Sequence, residues 1–65
     1  MAKLKENVEV VLTSLQKKML SAIELPMSED CPVSLRYALA KYDACMVAEA
    51  YESLYALWQA GALED

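Results

Sequence analysis

Glu49 and Glu52 come nearest to chemistry in type and spacing: three apart on a helix, two carboxylates stand side by side and could share a proton or hold a cation. No third ligand or matched partner accompanies them, so a solvated helix face accounts for the pair more simply. The chain has no His, hence no usual base for a Ser or Cys nucleophile, and one Gly, too few for a loop that cradles phosphate. Without His, Cys31 and Cys45 are too few for a zinc site, and two cysteines do not make a disulfide framework. A helix between them would hold them roughly 15 Å apart, beyond the roughly 7 Å that a disulfide spans. Both are expected as free thiols, Cys45 as a small apolar core residue and Cys31 in a solvent-facing loop. No catalytic, metal-binding or cofactor-binding residue and no small-molecule substrate emerges, and the chain reads as non-enzymatic.

Its 65 residues allow one domain, residues 1–65, and a chain of this size buries only roughly 60% of the surface that its unfolded form exposes. Yet 57% of the residues are hydrophobic and the mean hydropathy is +0.16. That is more apolar surface than a few short helices easily hide, so self-association or a protein partner is the first expectation. Ten acidic residues against six basic ones give a net charge of −4, which attracts neither phosphate backbones nor an anionic membrane surface. The longest uncharged run, Ser53 to Leu63, falls short of the roughly 18 to 20 residues of a spanning helix. Glu6 and Glu9 interrupt the N-terminus before a signal-peptide core could form, and a cytoplasmic protein is expected.

From Leu4 onward, Val8, Val11, Leu12, Leu15, Met19, Ala22 and Ile23 recur at three- and four-residue steps, which predicts a helix over about 3–25. Val10 and Leu20 fall off that stripe and are candidates for a second contact surface. The run Val8 to Leu12, rich in β-branched residues, offers an alternative, a non-helical start with Thr13 to Gln16 as a capping box, though no other strand is apparent for it to pair with. Residues 26–32, which include both prolines, read as a loop, with Asp30 or Cys31 capping the next helix and Pro32 near its first position. No Gly or Pro then interrupts the chain until Gly61, a left-handed helix stop.

Wound at about 100° per residue, Leu35, Leu39 and Tyr42 share one line, whereas Val47, Ala50, Tyr51, Leu54 and Trp58 centre about a quarter turn away. A break with Asp43 as N-cap explains the jump, giving helices over about 33–42 and 44–60. One long helix touching different neighbours along its length is the other solution. The fold expected is an all-α mini-domain of two or three helices, a helical hairpin whose second helix is bent or broken, completed by oligomerisation or a partner. Leu15, Leu39, Leu54 and Trp58 are expected in the core, whereas Tyr37 and Tyr55 point away from the main stripes. Met19, Met27 and Met46 add adaptable apolar surface, and Met27, in the loop, is the least suited of them to a core.

Residues 54–64, LYALWQAGALE, look like the end of a recognition helix in winged helix-turn-helix regulators, where leucines three apart lead into Ala-Gly-apolar. The likeness implies DNA binding by that helix. The chain departs from it at Asp43, where the motif has an apolar residue, and at Glu49 and Glu52, with no Lys or Arg on the helix to meet phosphate. Residues 48–61 are also similar to the first helix of a tetratricopeptide repeat, with Tyr51, Leu54 and Trp58 at fitting steps and the glycine one residue early.

Taken together, these patterns point to a protein-protein interaction module, an adaptor, co-chaperone or inhibitory subunit, that buries apolar helix surface against another protein or itself. Val10, Leu20, Tyr37 and Tyr55 are its expected interface residues. The alternative is a small wingless helix-turn-helix-like or helical-hairpin regulator that binds nucleic acid.

Overall fold

The computed structural model of the chain describes residues 2–65. Five elements occur in order: β1 (Lys3–Leu4), α1 (Ser14–Ala22), α2 (Val33–Ala38), α3 (Ala44–Gln59) and β2 (Leu63–Glu64). The protein is therefore mostly helical but not purely all-α, because its two ends pair as a short antiparallel ladder with Lys3 opposite Glu64 and Leu4 opposite Leu63. The Lys5 amide donates to the Ala62 carbonyl at 3.0 Å and the Ala2 amide to the Ile23 carbonyl at 3.2 Å, so the N-terminal segment is tied to both β2 and the end of α1.

The helix expected over 3–25 is confined to Ser14–Ala22. Its start is the capping box: Thr13 Oγ1 accepts from the Gln16 amide at 3.1 Å, and Gln16 Oε1 accepts from the Thr13 amide at 2.9 Å. Satisfying the amides of Thr13 and Gln16 favours starting the helix there, and the β-branched residues before it lose little by staying out of the helix. Val11, on the apolar stripe of the longer helix, is 97% exposed as a result.

The break expected at Asp43 is present, but α2 ends at Ala38 and not near residue 42: the Leu39 backbone leaves the helical region at φ −109° and ψ 25°, and Leu39 to Tyr42 form the turn. Asp43 is the N-cap of α3, its Oδ1 accepting from the Cys45 amide at 2.8 Å. The other end of α3 closes on a Schellman motif, with the Gly61 amide donating to the Trp58 carbonyl and the Ala62 amide to the Leu57 carbonyl, both at 2.9 Å. Gly61 takes φ 79°, a conformation open to glycine at little cost. α2 starts at Pro32 with no side-chain cap, in place of the Asp30 or Cys31 cap expected.

α1 and α3 pack against each other, and Met19 and Leu54 are fully buried. Around them close Leu15, Leu20 and Ile23 from the first half, Leu35 and Leu39 from α2, and Val47, Ala50 and Tyr51 from α3. Tyr51 also ties α3 to the loop before α2, its hydroxyl donating to the Ser28 carbonyl. That loop puts Met27 into the core, contrary to expectation: it is 6% exposed and lines a common groove with Ala22 and Ile23 at the end of α1.

Candidate functional site

α2 obeys a simple rule of burial. Leu35, within the helix, and Leu39, at its C-terminal cap, face inward, which turns Val33 and Tyr37, one helical turn apart, outward on the opposite side. They are 63% and 78% exposed, the largest apolar side chains that a helix presents to solvent apart from Met46. On either side of this ridge lies an open groove. One, of about 420 Å³, runs between α2 and the start of α3, past Arg36, Leu39, Ala40, Tyr42 and Val47. The other, of about 500 Å³, separates α2 from the end of α1 and its loop, past Ile23, Met27, Ser34, Ala38 and Tyr51. The residues of α2 that border the grooves are small or flexible, so neither groove is blocked from the ridge side.

Charge along this region is polarised. Glu29 and Asp30 precede α2, both exposed, with the Ser28 hydroxyl donating to the Asp30 carbonyl at 2.7 Å. Arg36 stands in the last turn of α2, where a cation meets the negative end of the helix, and Lys41 comes next in the turn to α3. Lys18, from α1, sits over the ring of Tyr42 with its Nζ 5.8 Å from the centroid. The N-terminal approach to α2 is thus acidic and its C-terminal side basic.

The four expected interface residues fare differently. Tyr37 lies on the ridge, and Val10 is exposed in the irregular segment between β1 and α1. Leu20 is only 6% exposed, which corrects its assignment: it belongs to the buried cluster that also takes in Ala2, Ile23 and Leu63, so the off-stripe leucine of α1 is core as well. Tyr55 is half-buried, its ring 5.7 Å from that of Trp58 and its hydroxyl accepting from Gln59 Nε2 at 2.9 Å. Trp58 is half-buried too, packed on the edge of the core. Val33 joins Tyr37 on the ridge without having been expected there, although its four-residue step to Tyr37, opposite Leu35 and Leu39, is a signal that the sequence carries.

The cysteines are free, with their expected places exchanged: Cys45 is exposed in the first turn of α3, and Cys31 is half-buried against the core. Glu49 and Glu52 are exposed on α3. Among the described residues, no group of three or more potential ligands gathers to hold a metal, and no helix is long and apolar enough to cross a membrane. No protein-family model, no curated protein and no solved structure matches the chain.

Proposed function

We propose that this protein is a non-enzymatic interaction module, an adaptor, co-chaperone or inhibitory subunit, that works by burying the outer face of α2 against another protein chain. The observation that carries the reading is the Val33–Tyr37 ridge, solvent-exposed between two open grooves on a helix that is itself held by Leu35 and Leu39. Leaving two large apolar side chains in water costs the free protein roughly 1.5 to 3 kcal/mol each relative to covering them. The accessible surface, 4658 Å², also exceeds the roughly 4,100 Å² typical of a compact chain of 7.2 kDa. Two free thiols fit a reducing, cytoplasmic setting.

A photo-crosslinking amino acid in place of Tyr37 tests the reading in cells. Covalent adducts to protein are expected at that position. Adducts to nucleic acid, or none at all, would discard it.

One arrangement favours the nucleic-acid alternative: α2, a short turn and α3 succeed one another as in a helix-turn-helix, with Lys18 and Lys41 near Tyr42 at the turn. Against it, α3 offers Glu49 and Glu52 outward and no Lys or Arg along its length. Retention on heparin that persists at physiological salt would turn the balance toward that alternative.

A further inference from the structure

Resting on the reading of α2 as a docking surface, we infer that its occupant is a second copy of this chain, with the two α2 helices lying antiparallel across a two-fold axis. The shape permits it. A ridge flanked by grooves is complementary to itself: the operation that lowers Tyr37 of one copy into the groove beside the other's α2 does the same in return, which makes the contact closed and isologous. Ser34 and Ala38 on one flank are small enough for the helices to approach closely, and on the other flank Ala40 is small and Arg36 is a long flexible side chain.

Charge selects the direction. With the crossing centred near Leu35, Val33 of each copy faces Tyr37 of the other and the acidic Glu29–Asp30 approach of each faces the Ala40–Lys41 turn of the other, while Arg36 lies beside the axis opposite Ser34. A parallel pairing would set acid on acid and base on base. The net charge of −4 opposes association in general, so this local alternation of sign is what makes a second copy the fitting occupant. The demand on surface is modest, since a specific dimer of the smaller sort takes about 600 Å² from each copy, roughly an eighth of the 4658 Å² at hand.

Sedimentation equilibrium on the purified chain over a dilution series tests the inference, with circular dichroism on the same samples. At low salt the mass should reach twice the 7.2 kDa of the chain and fall toward it on dilution and with added salt. Tyr37→Ser should weaken the dimer by about tenfold or more while leaving helicity unchanged. Two charge-reversed variants, Glu29→Lys with Asp30→Lys and Arg36→Glu with Lys41→Glu, should each remain monomeric alone and form a heterodimer when mixed in equal amounts. A wild-type chain that stays monomeric at every concentration, or a dimer indifferent to Tyr37→Ser and to both reversals, would overturn the inference. A monomer that still crosslinks to a different protein from position 37 removes only the self-pairing, whereas the absence of any protein adduct removes the docking reading beneath it.

Discussion

The α1–α3 seam and the α2 ridge are built by opposite means. At the seam, both helices start on side-chain caps, at Thr13 and Asp43, and Met19 and Leu54 give up all contact with water. α2 has six residues, no side-chain cap and one buried residue of its own, Leu35, with Leu39 anchoring its end. A helix that short does not hold itself in water and is kept by those two anchors. The difference teaches where this small protein keeps its stability and where it is free to vary. Side chains at the seam are constrained by packing, whereas the outer residues of α2 carry little of the fold.

Substitutions can break or sharpen that contrast. Leu54→Ala removes the centre of the seam and should cost about 3 kcal/mol, a large share of what a single core of this size supplies, so thermal melts monitored by circular dichroism should find the midpoint lowered by about 12 to 24 °C. A cooperative melt near that of the wild type would mean the seam does not hold the fold. Leu20→Ala comes next, at about 2 kcal/mol, because the leucine lies inside the core and not on a partner surface. If chemical denaturation shows it neutral, Leu20 is a surface residue after all. Asp43→Ala should lose about 1 kcal/mol with the cap of α3, lowering the melting temperature by about 4 to 8 °C. At the small end, Tyr37→Ala should shift the stability of the monomer, measured at high dilution, by no more than about 0.5 kcal/mol. A loss from Tyr37→Ala as large as that from Leu54→Ala would erase the distinction between the two regions.

Much of α3 was legible residue by residue, whereas the end of α2 at Ala38 and the strand β2 were not. Asp43 as cap, Gly61 as stop and the Val47–Ala50–Tyr51–Leu54 face are local signals, each set by bonds and side chains within a turn or two of the residue concerned. The first half misled because two signals competed over the same residues. The three- and four-residue apolar steps run through Val8 and Val11 into α1, while the capping box at Thr13 and Gln16 and the β-branched run argue for a later start, and the later start is the one formed. The ladder that does form lies upstream of that run and joins the two ends of the chain. Two-residue strands such as Lys3–Leu4 and Leu63–Glu64 carry no periodicity to detect.

Of the candidate site, the outward placement of Tyr37 could be read from its position opposite Leu35 and Leu39. Neither groove beside it could, since each depends on how α1, its loop and α3 are set around α2.

The sequence by itself determined what local physical chemistry determines: where α1 and α3 can be capped, where α3 must stop, which side of each helix is apolar, and that no histidine or glycine-rich loop offers itself for catalysis. Only the tertiary structure decided that the chain ends meet, that Leu20 and Met27 are core while Cys45 is not, and that α2 stands as a ridge between grooves. Burial at those positions is a matter of which distant segment arrives to cover them, and contacts between residues far apart in the chain leave no period or spacing in the sequence to announce them.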